Sequence, residues 1–188
     1  MSNQDGYLFM ADPIRRHALE RGDATALIFE GREISYGELD QRSNQVANGL
    51  IAAGIRPGER IAILAKNIDL FFEIYYGATK AGAVLVPINF RLAPPEVAYV
   101  LNDAGAKMLF VTEEFHDLVA GIEAEVPCLE QVLTLQGARD GWGEYAAWRD
   151  GQDLADPKGE GAASDTALQA YSSGTTGRPK GIKKPITG

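Results

Sequence analysis

Residues 60–88, RIAILAKNIDLFFEIYYGATKAGAVLVPI, decide the fold class. Arg60–Ala65 is an apolar run of strand length, reached through Arg56-Pro57-Gly58, which has proline and glycine where a turn wants them. Ile68–Ala81 carries apolar residues around much of its circumference, which predicts an interior helix, with Asn67 as its expected cap. Val84–Ile88 is a second buried-strand run, after which Asn89 and Arg91 are expected to fix a turn. The same alternation of helical patterns and short apolar runs continues in both directions. It predicts an α/β fold of layered sheets with flanking helices.

Toward the N-terminus, Asp12–Arg21 reads as a polar helix and Thr25–Phe29 as a strand. Glu33–Ser35 is expected to pair back on that strand across Glu30-Gly31-Arg32. Ser35 and Glu38 have capping-box spacing and open a helix whose inner stripe is Leu39, Ser43, Val46 and Leu50, with Gly54 as its stop. Toward the C-terminus, Pro94-Pro95 suits the first turn of a helix that runs to Asp103 and stops at Gly105. Lys107–Val111 reads as a strand, Glu113–Ile122 as a helix and Glu130–Leu135 as a strand. Over 137–164 the pattern gives way to a polar surface loop in which Trp142, Tyr145 and Trp148 anchor a short helix, leaving Gly151–Ser164 as loop. A binding role for those aromatics is the alternative.

Composition bounds the function. With 188 residues, 45% of them hydrophobic, the chain can bury a core without covalent staples as one domain or slightly more. A formal net charge of −8 argues against nucleic acid or an anionic membrane as the main partner. No apolar run approaches the roughly 20 residues of a membrane helix, so no transmembrane segment is expected. The opening MSNQDGYLFM lacks a basic segment followed by an apolar one, so a cytoplasmic location is expected. The single cysteine, Cys128, cannot form an internal disulfide and reads as a small hydrophobe. His17 and His116 read as surface residues, and no residue is nominated as a metal ligand.

The chemistry is concentrated where the apolar strand Thr166–Tyr171 enters Ser172-Ser173-Gly174-Thr175-Thr176-Gly177-Arg178-Pro179-Lys180-Gly181. Glycines let successive backbone N–H groups converge on an anion, hydroxyls add donors independent of pH, and Arg178 and Lys180 add charge-assisted hydrogen bonds. That set suits a polyphosphate. It is not G-x-x-x-x-G-K-[ST], because the position five after Gly174 is Pro179, and it is not G-x-G-x-x-G. The competing readings are a solvated tail and, for Arg178 and Lys180, plain surface charge. A tail needs neither the preceding strand nor the stiff Arg-Pro-Lys within it.

The stretch Tyr171–Gly181 closely resembles the phosphate-loop signature of the adenylate-forming (AMP-binding) superfamily, which includes acyl-CoA synthetases, peptide-synthetase adenylation domains and luciferases. Ile34-Ser35-Tyr36-Gly37-Glu38-Leu39, Lys80-Ala81-Gly82-Ala83-Val84-Leu85-Val86-Pro87-Ile88-Asn89, Arg91-Leu92 through Glu96, and Tyr99–Lys107 are similar to family segments in the same order. The resemblance implies the N-terminal part of the large domain of an adenylate-forming enzyme over 1–188, with 171–181 as the phosphate-binding loop. It implies that ATP, with Mg2+, activates a small-molecule carboxylic acid to an acyl-adenylate, and that coenzyme A then takes the acyl group. Thr175, Thr176 and Lys180 would be the catalytic residues. Ser172, Ser173, Gly174, Thr175, Thr176, Gly177 and Lys180 would bind the nucleotide's phosphates.

After Gly181 the family usually runs through apolar residues to a Ser/Thr-His pair, whereas here the chain reads Ile182-Lys183-Lys184-Pro185. That continuation is similar to bacterial fatty-acid and other carboxylic acid CoA ligases. The family's acyl pocket, acidic magnesium motif and C-terminal domain with its catalytic lysine are expected beyond these residues, and Lys183 and Lys184 do not take that lysine's role. An adenylation domain feeding a carrier protein and a non-catalytic nucleotide-binding remnant are the alternatives. Uncovered sheet edges and helix faces would favour self-association.

Overall fold

A computed structural model describes residues 10–158, 166–172 and 180–185. In chain order its elements are α1 (Asp12–Arg21), β1 (Thr25–Phe29), β2 (Arg32–Ser35), α2 (Tyr36–Ala52), β3 (Arg60–Leu64), α3 (Leu70–Lys80), β4 (Val84–Ile88), α4 (Pro94–Ala104) and β5 (Ala106–Val111). They continue with α5 (His116–Ile122), β6 (Gln131–Thr134), β7 (Gly143–Glu144), α6 (Tyr145–Asp150), β8 (Thr166–Ser172) and β9 (Lys180–Pro185).

Seven strands form one sheet in the order β7-β6-β5-β3-β4-β8-β9, and β1 with β2 makes a separate antiparallel pair. Every pairing in the larger sheet is parallel except β8 with β9. From β3 the chain moves one way to β4, then crosses back over β3 to β5, so successive helices cover opposite faces. Ile61 and Ile63 of β3 face Val46, Leu50, Ile74 and Phe110, under α2, α3 and α6. Ala62 and Leu64 face Val97, Leu101, Leu109 and Val119, under α4 and α5. A parallel strand buried on both faces reads as a continuous apolar run, which is what Arg60–Ala65 shows.

The α/β expectation holds, with local corrections. Ser35 caps α2 by accepting from the Glu38 N–H at 3.1 Å, while the Glu38 carboxylate pairs with Arg42. Glu96 accepts from the Ala93 N–H at 2.8 Å before α4, and Asn89 holds the Arg91 N–H at 3.0 Å. Asp69 rather than Asn67 caps α3: its carboxylate takes the Leu70 N–H at 3.0 Å and also pairs with Arg32 of β2, an ionic partner that an amide would not attract. The helix expected over Glu113–Ile122 is a 3-10 turn, Glu113–Phe115, followed by α5. His116 is buried, not at the surface, because its ring stands edge-on to Trp142 with centroids 5.3 Å apart. Tyr145 and Trp148 of α6 pack on the other face against Phe110, so the three aromatics divide between the two layers.

The tightest joint is between α2 and α3. Glu73, Gly77 and Lys80 fall at i, i+4 and i+7, one stripe of α3, and all three are buried. A Cβ on Gly77 would lie 2.5 Å from Val46, so glycine is what lets the helices close to this distance. On one side Glu73 accepts from Arg42 (2.9 Å), Arg149 (2.8 Å) and the Tyr145 hydroxyl (2.9 Å). On the other the Lys80 ammonium donates to Asp40 Oδ1 (2.6 Å), the Asp40 carbonyl (3.1 Å), Ser43 Oγ (2.8 Å) and Asn44 Oδ1 (2.6 Å). Burial pulls the Lys80 ammonium below its ordinary pKa, and Asp40 opposes that shift. A buried charge is tolerable only when its partners satisfy it this fully.

Lys80→Met keeps the volume and removes the donor, stranding Asp40, Ser43 and Asn44. Urea denaturation is expected to show a loss of about 3 kcal/mol, and a loss well under 1 kcal/mol would show that the cage contributes little. Glu59 gives a pH signature. The Arg56 N–H at 2.9 Å and then the Lys107 ammonium at 3.0 Å bring its carboxyl down to about 2. A depressed carboxyl contributes stability above the unfolded value, near 4.5, and loses it as pH falls toward about 2. Glu59→Gln is expected to flatten that part of the acid-stability curve, and an unaltered slope would refute the assignment.

Candidate functional site

Strands β3, β4 and β8 run in the same direction, Leu85 standing opposite Leu168, so their carboxyl ends share one edge of the sheet. That edge is where open parallel sheets bind ligands, because the chain leaves each strand there with its loops free to vary. From β8 the chain turns back as β9, antiparallel, with Ser172 opposite Lys180 in the ladder. Two of the expected phosphate-binding residues are thereby brought face to face in the backbone. Ser173, Gly174, Thr175, Thr176, Gly177, Arg178 and Pro179, which connect them, lie outside the described residues. Of the residues expected in a loop over 171–181, Tyr171 and Ser172 belong to β8, and Lys180 and Gly181 to β9. β9 was not legible because Lys180–Pro185 shows no alternation of apolar and polar residues.

Tyr171 connects this turn to the body of the protein. Its hydroxyl donates to Asp103 Oδ2 of α4 at 2.7 Å and accepts from Gln169 Nε2 at 2.9 Å. Gln169 is buried and its own carbonyl oxygen takes Arg60 Nε at 3.4 Å. Burial first, and then the bond to the Asp103 carboxylate, push the Tyr171 phenol above its ordinary pKa, so it remains a donor at any physiological pH. The residue names alone contained Tyr171 and Asp103 within family-like segments, but nothing in their spacing joined them.

The same edge holds a cavity of about 480 Å³ between the ends of β3 and β4 and the start of α3. Ile63, Phe71, Phe72, Pro87, Ile88 and Phe90 supply its apolar walls, and Lys66 and Asn67 also line it. Lys66 is already paired with Glu114 at 3.5 Å. Cys128 is half-buried, its thiol raised by burial and 3.5 Å from the Leu101 carbonyl, consistent with a packing role. Among the described residues no group of three or more His, Cys, Asp or Glu side chains could hold a metal ion, and no helix is long and apolar enough to cross a membrane.

Known proteins resemble this chain over nearly its whole length. The family model of the AMP-binding enzyme matches residues 14–184. The fatty acid–[acyl-carrier-protein] ligase ScoC of Streptomyces coeruleorubidus is 40% identical over 167 residues, covering 88% of this chain and 31% of that protein. A feruloyl-CoA synthase of an Amycolatopsis species is 38% identical over 169 residues, covering 90% of this chain and 31% of its own. The crystal structure of the anthranilate CoA ligase AuaEII in complex with anthranoyl-AMP superposes with a TM-score of 0.92 at 32% identity, over 99% of this chain and 36% of that one. The chain thus spans about a third of the length of the relatives it matches. Matched by the family model from α1 to β9 and by an adenylate-bound ligase in fold, the chain belongs to the AMP-binding, adenylate-forming enzymes.

Proposed function

We propose that these residues are the N-terminal part of the large domain of an acid–thiol ligase. In such a ligase the turn between β8 and β9 grips the β- and γ-phosphates of ATP. The observation that carries this reading is the β8–β9 ladder, which sets Ser172 opposite Lys180 at the carboxyl edge. A glycine- and hydroxyl-rich segment joins the two. Family membership and the ligase relatives support the chemistry.

In the proposed reaction a substrate carboxylate oxygen attacks the α-phosphorus, forming the acyl–phosphate bond as the bond to the β-phosphate oxygen breaks and pyrophosphate leaves. A thiol then displaces AMP. Both reactants are anions, so donors must hold the departing phosphates in line and absorb their growing charge. Thr175, Thr176, Gly174 and Gly177 would wrap the leaving pyrophosphate, with Ser172, Ser173 and Lys180 beside it. Mg2+ bound with the triphosphate supplies charge neutralisation, and none of the described residues is assigned to it. Coenzyme A is the proposed acceptor. The likeness to the Streptomyces ligase, whose name specifies an acyl carrier protein, favours a carrier thiol as the second reading. A fatty acid is the proposed substrate. The exposed edge strand β9, with Ile182 half exposed, would favour self-association of the chain alone.

Two measurements test this. The 188-residue chain by itself is expected to bind MgATP weakly and to catalyse no carboxylate-dependent pyrophosphate–ATP exchange, and exchange by the isolated chain would contradict the division of labour proposed. In a polypeptide of the relatives' full length that carries these residues, octanoate is expected to drive exchange better than benzoate. There Thr175→Ala should lower kcat about tenfold with KM for ATP changed less than about twofold, because its hydroxyl serves charge that develops on departure. Unaltered exchange kinetics in that variant would remove Thr175 from the mechanism. Thioester formation with coenzyme A, set against formation with an acyl carrier protein, decides the acceptor.

A further inference from the structure

After α6 the chain runs over 152–156 without helix or strand, yet the carbonyls of 152, 153, 154 and 155 are all taken by side-chain amides of α2. Gln45 Nε2 donates to Gln152 at 3.2 Å, Asn44 Nδ2 to Leu154 at 3.0 Å, and Asn48 Nδ2 to both Asp153 and Ala155 at 2.8 Å. At the far end Arg15 of α1 grips both oxygens of Asp156, at 2.6 and 2.9 Å. The segment is a strap laid across α2. Its near root is firm, because Trp148 lies so close to Gly49 that a Cβ there would come within 2.5 Å of the indole. The strap itself is held differently: none of its residues is buried, and Leu154 is 53% exposed. A segment held by hydrogen bonds and one ion pair, with little apolar burial, is the kind that opens while the rest of a fold stays intact. Beneath it lies the Lys80 cage. Asn44 belongs to both, its Oδ1 accepting from Lys80 at 2.6 Å while its Nδ2 donates to the strap. Asn44 is 4% exposed and Lys80 0%. Asp156 and Arg15, at the strap's end, both act on the Lys80 charge, in opposite senses.

We infer that the strap over 152–156 is a detachable cover: closed, it seals the Lys80 cage from water, and it lifts by a local opening that leaves the sheet and its helices folded. Lys80 stands in the last turn of α3, which begins at the carboxyl ends of the strands and runs back from them. The cover therefore sits at the other end of the α2–α3 joint from the ligand edge. Lifting it exchanges the Asn44–Leu154 bond for water and admits solvent to an ammonium whose partners are matched to its dehydration. The strap thereby controls how firmly α2 holds α3, without any rearrangement of the apolar core beneath.

The test follows the reactivity of Lys80 in the 188-residue chain. The probe is N-acetoxysuccinimide, which acetylates a neutral amine: the nitrogen lone pair forms the amide bond, N-hydroxysuccinimide leaves and the amine's proton goes to solvent. Peptide mass spectrometry reads the rate at Lys80, with the exposed Lys66 as internal reference. In the parent chain Lys80 is expected to react at least about tenfold more slowly than Lys66. Low urea should barely change that rate, because lifting the strap exposes little surface. Asn48→Ala and Asn48→Leu each remove two strap bonds and leave every charge near Lys80 in place, so a change in rate reports access rather than ionisation. Each is expected to raise the Lys80 rate about tenfold, and amide exchange at 152 and 155 with it, at an unchanged global unfolding midpoint. A parent Lys80 as reactive as Lys66 would show that nothing is sealed. Labelling that climbs steeply with urea from the outset, or that quickens in the variants only in step with a falling midpoint, would mean that Lys80 is reached by global unfolding. Faster exchange at 152 and 155 with the Lys80 rate unmoved would show that the strap lifts but covers something else. Each of these outcomes overturns the inference, and the urea series on the parent chain decides it even if neither variant folds.

Discussion

The structure depends on a stripe of α3 in which two buried opposite charges flank a glycine. Gly77 allows α2 and α3 to close until Val46 meets backbone, and that closeness is what puts Glu73 and Lys80 out of reach of water. Once dehydrated, each charge must be paired, and the partners come from two helices: Arg42, Asp40, Ser43 and Asn44 from α2, Arg149 and Tyr145 from α6. The charges therefore act less as glue than as a register. Sliding α2 by one turn would leave an ammonium and a carboxylate buried without partners, a cost of several kcal/mol that purely apolar packing would not impose.

That register matters for the ligand edge. α3 connects β3 to β4, and the apolar cavity at their carboxyl ends is walled by Phe71 and Phe72 from its first turn. β4 in turn carries β8, and β8 carries the turn that is proposed to hold ATP. Position is thus passed from a helix pair to a strand, and from that strand to its neighbour. On the far face the Tyr171–Asp103 bond is where the opposite layer, α4, takes hold of β8.

The α/β class was legible from Arg60–Ile88 because a doubly covered parallel strand must be apolar throughout, and because the caps at Ser35, Pro94 and Gly105 act within a few residues of themselves. Short-range chemistry can be read from short stretches. The errors were of another kind. Asn67 and Asp69 are both plausible caps by type, and what separated them was Arg32, far away in sequence. His116 is buried because Trp142 happens to close over it, and β9 exists because β8 offers it a ladder rather than because its own residues favour a strand.

The amino-acid sequence by itself determined the alternation of helices and strands, their local stops, and the donor-rich segment whose order and composition point to a nucleotide's phosphates. Each of these depends on residues a few positions apart, held together by the chain itself. Only the tertiary structure decided that Lys80 and Glu73 are interior, that Ser172 faces Lys180, and that Tyr171 reaches Asp103 and rests on Gly181. Most of those contacts join residues far apart in the chain. Which of the many chemically reasonable pairings forms is chosen by packing and dehydration of the whole layer, not by any property of the residues taken singly.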